Sequence, residues 1–401
     1  MRALIAFDKF KDALPAHRAC AITVATLRLL HPEWEFDVCP LADGGEGFCA
    51  ILTDAAHGKL ETFMVTGPRG SPVLAPIGFV AQEKIPAAAR EILGLGATNT
   101  GTIAVIEMAS ASGLALLPPD QRDPWQATTF GTGELIRHAA ACGVTAIILG
   151  VGGSATHDLG YGALSALGVV ALDANHSAIA PPIPARWTEI EKLRGSLPAD
   201  FPALRIVCDV TNPLLGALGA AAIYAPQKGL RTADLKRLDY ESARLAQLLC
   251  RHSNQPDTLM DTPGAGAAGG IAFGLMSAAH AQLIPGYALV AAWLDLEARL
   301  ASADLVITGE GRFDASSLSG KGPGAIAARA RALGKTTHIF AGAVTAVPPE
   351  GLNLHAITPS YLPLAEALRE TPALLATSVA NVFSANRAAP SVSTGSAQAP
   401  R

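Results

Sequence analysis

Short loops that combine glycine with acidic or hydroxyl side chains recur along this chain of 401 residues. One of them, at residues 40–47, reads Pro-Leu-Ala-Asp-Gly-Gly-Glu-Gly and places carboxylates at Asp43 and Glu46. Phosphoryl transfer requires donors for phosphate oxygens, carboxylates for Mg2+ and a group that orients the attacking hydroxyl. Glycine backbone approaches phosphate closely, and Mg2+ is commonly held by one or two carboxylates together with phosphate oxygens. These loops therefore favour phosphoryl-transfer chemistry.

A second loop, at residues 150–158, has the composition of a phosphate-binding turn. It follows an apolar run and precedes a helical stretch, so its backbone N–H groups are expected to face a ligand. We predict phosphate contacts from Gly152, Gly153, Ser154 and Thr156. The alternative is a tight strand-to-helix turn in which Ser or Thr caps the helix. Asp158 favours the functional interpretation, because a capping turn does not require a second carboxylate.

Two later loops add further acidic and polar groups. The candidates are Asp209 and Asn212 after the apolar run 204–208, and Glu310, Asp314 and Lys321 within residues 309–321. The last segment is not a Walker A motif, but Lys321 is predicted to contact phosphate. For each aspartate the alternative is a turn residue that accepts hydrogen bonds from nearby backbone.

Lys228 stands in a Tyr-Ala-Pro-Gln-Lys-Gly loop at residues 224–229. A cation there suits a substrate carboxylate, and the alternative is a solvated surface charge. Residues 264–269 match the dinucleotide pattern G-x-G-x-x-G, but a polar segment precedes them where a strand is required. We interpret this motif as a helix start that packs closely or approaches a ligand.

These loops need a scaffold, and the pattern around them predicts an α/β fold. Apolar runs alternate with helical segments, which indicates a largely parallel or mixed sheet whose ligands bind at the carboxyl ends of strands. The length predicts two domains. The segments at 81–101 and near 282–285 are interpreted as crossings between them, so one α/β domain is expected to be inserted into the other. We expect a discontinuous first domain at residues 1–80 and 285–384, an inserted domain at 81–284, and a disordered tail at 385–401.

The charge of the chain argues against nucleic acid and anionic membranes as binding partners. The formal net charge of -4 offers no basic field for nucleic acid or anionic membrane. Six cysteines are scattered without a paired pattern, as expected for reduced thiols of a cytoplasmic protein. A small-molecule substrate is therefore favoured.

Together these segments resemble the type-1 glycerate kinase family. The resemblance covers about residues 2–380, in family order, and includes the loops already described. It rests on residues 8–11, 40–47, 129–135, 150–156 with Asp158, 208–216, 225–229, 263–270 and 304–311 with Asp314. The sequence departs from the family pattern at His157 and Leu159, where Asn and Gly are common, and at residues 12–13.

The resemblance implies two α/β domains with the site in the cleft between them. It also implies phosphorylation of D-glycerate by ATP and Mg2+, at the 2-hydroxyl in bacterial members, to give 2-phosphoglycerate and ADP. Alternatives are a glycerate 3-kinase or a kinase of a related small hydroxy acid. More remote alternatives are an NAD-dependent dehydrogenase and a non-catalytic sugar-acid-binding regulator.

On the basis of this resemblance, each candidate residue can be assigned a role in binding ATP, Mg2+ or substrate or in catalysis. ATP would be bound by the residues 152–156 loop and Lys321, and Mg2+ by Asp209 with Glu310 or Asp314. Asp43 or Asp209 would accept the hydroxyl proton, with Lys11 as a further catalytic candidate. The predicted substrate-binding residues are Asp8, Glu46, Asn212 and Lys228.

Overall fold

The computed structural model describes residues 1–96, 100–315, 317, 322–347 and 350–384. The predicted phosphate ligand Lys321 and the predicted tail at 385–401 lie outside these residues. The chain divides into two compact units, one of Met1–Pro40 with the described part of Arg299–Arg401, the other Leu41–Ala298. The second unit is thus inserted in the sequence of the first.

Thirteen β-strands and thirteen α-helices are present in the described residues. The strands are β1 (Arg2–Phe7), β2 (Glu35–Val38), β3 (Lys59–Thr66), β4 (Pro72–Ala81), β5 (Thr102–Glu107), β6 (Ala146–Gly150), β7 (Val170–Leu172), β8 (Lys192–Arg194), β9 (Ala203–Val207), β10 (Gln282–Ile284), β11 (Leu305–Phe313), β12 (Thr336–Val344) and β13 (Asn353–Ala356). The helices are α1 (Ala16–Leu30), α2 (Phe48–Ala55), α3 (Ala87–Ile92), α4 (Ala109–Ser112), α5 (Phe130–Ala141), α6 (Tyr161–Ala166), α7 (Ala220–Tyr224), α8 (Leu235–His252), α9 (Ala267–Ala279), α10 (Gly286–Trp293), α11 (Leu296–Ser302), α12 (Gly322–Ala332) and α13 (Leu364–Ser384). None of the described helices is both long and apolar enough to cross a membrane.

The first unit is built on a five-stranded sheet in the order β13-β12-β11-β1-β2, with every neighbouring pair parallel. Ala3 to Phe7 of β1 are fully buried, as expected for a strand covered on both faces. Helix α1 presents a buried stripe that includes Cys20, Val24 and Leu27, and it packs against β1 and α13. The loops after β1 and β11 therefore emerge from one edge of this sheet.

The second unit contains a six-stranded sheet in the order β10-β9-β6-β5-β4-β3. Strands β10, β9, β6 and β5 are parallel, whereas β4 and β3 are antiparallel to their neighbours. The mixed α/β class predicted from the sequence is confirmed. Because β5, β6 and β9 run the same way, the loops that follow them lie along one sheet edge.

The unit boundaries differ from the predicted domain boundaries at 80 and 285. Strand β4 pairs with β5, for example at Ile77 and Ile106, so the β3–β4 hairpin extends the sheet of the second unit. Helix α10 also belongs to the second unit. The mostly apolar segment at residues 73–80 indicates a strand, but nothing within the segment specifies which strand it pairs with.

Glycines in α9 allow close packing inside the second unit. A Cβ at Gly274 would collide with the carbonyl oxygen of Leu159, and a Cβ at Gly270 would lie 2.7 Å from Leu159 Cδ2. The N–H of Leu159 also donates to the carbonyl of Gly269 at 3.1 Å. The G-x-G-x-x-G motif is interpreted as a helix start that either packs closely or approaches a ligand. The contacts of the 264–270 segment agree with close packing.

This packing predicts that Gly274→Ala destabilises the protein, although alanine is usually favoured over glycine inside a helix by about 1 kcal/mol. Overpacking against backbone should outweigh that gain, for a net loss of about 1–3 kcal/mol. The control is Ala25→Gly, at an exposed position inside α1, which measures the helix preference for alanine without a change in packing. Urea denaturation measures both variants. A Gly274→Ala protein as stable as the wild type would contradict the packing argument.

Candidate functional site

Two glycine-rich loops of the second unit lie directly against each other at the carboxyl ends of β6 and β9. The N–H of Gly152 donates to the carbonyl of Gly44 at 3.0 Å. A Cβ at Gly152 would lie 2.7 Å from Gly45 Cα, and a Cβ at Gly44 would lie 3.3 Å from the carbonyl oxygen of Val207. These glycines are required because backbone meets backbone with no room for a side chain.

The loop at 43–47 is anchored by a carboxylate that the sequence analysis did not identify. Glu107, the last residue of β5, is 8% exposed and its Oε2 accepts the N–H of Gly47 at 2.9 Å. Its charge therefore lies at the N-terminus of α2, where the helix dipole favours an anion. The signal in the sequence was a lone Glu at the end of the apolar run 102–106.

The two acidic side chains of this loop, Asp43 and Glu46, are exposed. Asp43 Oδ1 accepts the N–H of Gly45 at 3.0 Å, which tightens the turn. The loop therefore presents carboxylates to solvent while its glycines face the 150–154 backbone.

The loop at 150–156 is held on its other side by the segment after β5. The N–H of Ala155 donates to the carbonyl of Ser112 at 2.9 Å, and the N–H of Leu114 donates to the carbonyl of Gly153 at 2.8 Å. Gly153 has φ of +74°, a left-handed conformation that favours glycine. Ser154 is 8% exposed and Thr156 is fully buried, so they differ in access to a ligand.

Lys228 lies behind this loop and is only 1% exposed. Its Nζ donates to Ser154 Oγ at 2.8 Å and to the carbonyl of Thr156 at 2.6 Å. Burial lowers the pKa of Lys228 to about 7, with a smaller opposing effect from the Asp158 charge. The interpretation of Lys228 as a solvated surface charge is therefore wrong.

Asp158 is fully buried in the same cluster and organises the backbone around it. Its Oδ2 accepts from the N–H and hydroxyl of Thr129, at 2.8 and 2.9 Å, and from the N–H of Gly162 at 3.1 Å. Its Oδ1 accepts from the N–H of Gly160 at 3.1 Å. Burial raises the pKa of Asp158, and these hydrogen bonds oppose that rise. Asp158 thus joins the turn before α6 to the start of α5.

His157 is also fully buried, and its Nε2 lies 3.1 Å from Ser242 Oγ. The Ser242 hydroxyl donates to the carbonyl of Leu238 at 2.7 Å, so the histidine Nε2 must be the donor to Ser242. Burial lowers the pKa of His157 to about 3, and the nearby Lys228 charge contributes. His157 is therefore a neutral interior residue at physiological pH.

Asp209 and Asn212 both hold backbone in place after β9. Asp209 Oδ1 accepts the N–H of Gly286 at 2.8 Å and its Oδ2 accepts the N–H of Tyr287 at 2.9 Å, at the N-terminus of α10. Asn212 donates to the carbonyl of Leu218 at 2.8 Å and accepts the Tyr224 hydroxyl at 2.5 Å.

The remaining predicted site residues belong to the first unit. Asp8 follows β1 directly, and its N–H donates to the carbonyl of Gly309 in the paired strand β11 at 2.9 Å. Asp8 Oδ1 lies 3.8 Å from Lys9 Nζ. Lys11 is exposed, Glu310 lies in β11, and Asp314 pairs with Arg312 at 3.5 Å.

The predicted residues thus divide between the units. The first unit holds Asp8, Lys11, Glu310 and Asp314; the second holds Asp43, Glu46, Gly152, Gly153, Ser154, Thr156, Asp209, Asn212 and Lys228. Among the described residues no three or more His, Cys, Asp or Glu side chains are grouped to hold a metal ion. A carboxylate that binds Mg2+ with phosphate oxygens does not require such a group.

His157 gives a pH prediction. Its pKa of about 3 in the folded protein lies below the ordinary histidine pKa of 6.5, so its contribution to stability is complete above pH 6.5 and is lost as the pH falls towards 3. His157→Asn should flatten this acid limb, which for such a shift amounts to about 5 kcal/mol in all, of which about 3 kcal/mol falls between pH 6.5 and pH 4. His176→Asn, at an exposed turn of the same unit, is the matched control. Thermal unfolding from pH 7 to pH 4 measures the limb, and parallel wild-type and His157→Asn curves would refute the assignment.

Comparison with known proteins places this architecture in a family. The model of the glycerate kinase family matches residues 3–387. The chain is 37% identical over 374 residues to a glycerate kinase of Bacillus subtilis, covering 92% of this chain and 93% of that protein. It is 38% identical over 349 residues to the glycerate 2-kinase of Escherichia coli, covering 86% of each. The crystal structure of a Salmonella typhimurium LT2 protein assigned to glycerate kinase 2 superposes with a TM-score of 0.73 at 37% identity, covering 97% of this chain and 98% of that one. The chain therefore belongs to the glycerate kinase family, a family of kinase enzymes.

Proposed function

We propose that the protein transfers the γ-phosphoryl group of ATP to the 2-hydroxyl of D-glycerate, giving 2-phosphoglycerate and ADP. The observation that supports this most strongly is the 38% identity to the Escherichia coli glycerate 2-kinase over 86% of each chain. The loops of the second unit contain hydrogen-bond donors and carboxylates of the kind that phosphoryl transfer requires.

The loop at 150–156 fits the phosphate groups of ATP. Its backbone has no side chain at Gly152 or Gly153, and Ser154, although largely buried, adds a hydroxyl. Such donors stabilise phosphate oxygens without further rearrangement. Thr156 is fully buried, so within this proposal it shapes the loop and does not touch phosphate.

Asp43 is the better candidate to accept the hydroxyl proton of the substrate. It is exposed on a loop whose backbone is fixed by Gly152 and Glu107. Asp209 instead uses both carboxylate oxygens at the N-terminus of α10, which suits a carboxylate that holds position and charge. A base that removes the hydroxyl proton typically contributes about 10²- to 10⁴-fold to the rate.

Mg2+ would neutralise charge on the phosphate groups when bound. Asp209, Glu310 and Asp314 remain our proposed ligands, since each is a carboxylate at or near the carboxyl end of a strand. Lys11, Asp8, Glu46 and Asn212 remain proposed contacts for glycerate or its hydroxyl. We also propose that the protein acts in the cytoplasm, since all six of its cysteines are free thiols.

The reaction is tested with purified protein, D-glycerate, ATP and Mg2+ in a coupled assay for ADP, with phosphorus NMR of the product. We expect ADP release that depends on D-glycerate and a single product resonance matching 2-phosphoglycerate. A 3-phosphoglycerate resonance would contradict the proposed position. No ADP above background would contradict glycerate phosphorylation altogether.

Asp43→Asn should lower kcat by about 100-fold or more while leaving KM for ATP within a few-fold, because only proton acceptance is lost. Asp120→Asn, at an exposed position, is the matched control and should retain wild-type turnover. Steady-state kinetics with both substrates varied provide the measurement. Near-wild-type kcat in Asp43→Asn would remove Asp43 from the role of base.

A further inference from the structure

A buried ammonium group directly behind a proposed phosphate loop is unusual, because an unpaired charge inside a protein is costly. Lys228 is 1% exposed, yet its Nζ reaches the backbone and side chain of the loop at 150–156. Around it lie Thr156 of that loop, His157 and Asp158 directly after the loop, and Ser242 of α8. Lys228 therefore belongs to the interior support of the loop.

The hydrogen bonds that Lys228 donates determine whether the Ser154 hydroxyl acts as a donor or an acceptor towards a ligand. A protonated lysine has donors and no acceptor, so Ser154 Oγ accepts a hydrogen bond from the Lys228 ammonium group, with Nζ and Oγ 2.8 Å apart. The hydroxyl proton of Ser154 is then available to donate to another group. The second bond, to the Thr156 carbonyl at 2.6 Å, fixes the backbone two residues further on. A phosphate oxygen requires donors, and this arrangement provides one.

The charge on Lys228 is only partly compensated within the protein. The titratable groups that interact with it are Asp158, which favours the charged ammonium, and His157, whose pKa Lys228 lowers. Asp158 is at the same time engaged by the N–H and hydroxyl of Thr129 and the N–H groups of Gly160 and Gly162. Burial lowers the pKa of Lys228 to about 7, so an anion placed beside Ser154 would favour the protonated form.

We propose that Lys228 is a positioning residue for the nucleotide phosphates: from the interior, its ammonium group holds Ser154 as a hydrogen-bond donor to a phosphate oxygen. It does not bind the glycerate carboxylate, the role predicted for it from the sequence. A bound phosphate in turn stabilises the proton on Lys228, so ATP binding takes up a proton when the pH is above about 7. The inference rests on the proposed ATP-binding role of this loop.

Isothermal titration calorimetry with MgATP, in the absence of glycerate, tests the coupling. Titrations in Hepes and in Tris at pH 8 give the number of protons taken up, because the two buffers differ in ionisation enthalpy. We expect uptake of most of one proton by the wild type at pH 8 and little at pH 6, where Lys228 is already protonated. Equal uptake at the two pH values would contradict the coupling between a bound phosphate and the proton on Lys228, whereas the position of Ser154 is tested by the variants below.

Two variants test the residues. Lys228→Met removes the ammonium while keeping an apolar stem, and it should abolish proton uptake and weaken MgATP binding by about 10-fold or more, as expected for a lost charge-assisted bond. Ser154→Ala should also weaken MgATP binding but retain proton uptake, because the buried charge remains. Lys192→Met, at an exposed position, is the control. Undiminished uptake in Lys228→Met, or unchanged MgATP affinity in Ser154→Ala, would overturn the inference.

Kinetics separate this role from substrate binding. In Lys228→Met, KM for ATP should rise while KM for D-glycerate stays within a few-fold of the wild type. A selective rise in KM for D-glycerate would contradict the inference and restore the carboxylate-binding role. Because proton uptake is measured without glycerate, a protein that binds MgATP with uptake but does not phosphorylate glycerate would refute only the proposed function.

Discussion

The contact between the loops at 43–47 and 150–154 is the constraint on which the candidate site of the second unit depends. The two backbones meet through the bond from Gly152 N–H to the Gly44 carbonyl, and Gly44 also packs against the end of β9 at Val207. No side chain fits between them, so glycine at these positions is a packing requirement as well as a suitable phosphate-binding composition. The exposed carboxylates of the 43–47 loop and the backbone of the proposed phosphate loop are thereby held next to each other.

Buried polar groups support this arrangement from behind. Lys228, Asp158 and Glu107 each satisfy backbone or hydroxyl groups that would otherwise lie unpaired in the interior. Removing one member of such a network costs more than the average hydrogen bond, because a buried partner is then left unsatisfied. The stability of the loop and its proposed chemistry thus depend on the same side chains.

Leu159 illustrates how the sequence departs from the family pattern without losing the packing. It has φ of +54°, a conformation that costs a non-glycine residue about 1–2 kcal/mol. Its side chain is fully buried and fills space against Gly270. Burial of a leucine side chain is worth about 1.5–3 kcal/mol, which offsets the strain.

Local patterns were sufficient to predict several elements and insufficient for others. The apolar run at 145–149 followed by glycines correctly predicted β6 and the turn after it, because strand and turn signals are local. Three other features depend on residues far apart in sequence. They are the pairing of β4 with β5, the burial of Lys228 and the capping of α10 by Asp209. A lone lysine or aspartate in a loop has the same local appearance whether it is solvated or buried, so the sequence left these alternatives open.

We propose that the loop at 150–156, with Ser154 as donor, holds the phosphates of ATP. A crystal structure with a non-hydrolysable ATP analogue and Mg2+ tests it most directly. We expect a phosphate oxygen within hydrogen-bond distance of Ser154 Oγ, with Lys228 Nζ still donating to Ser154 Oγ from the interior. An analogue whose phosphates lie away from Ser154, with the loop unchanged, would contradict it.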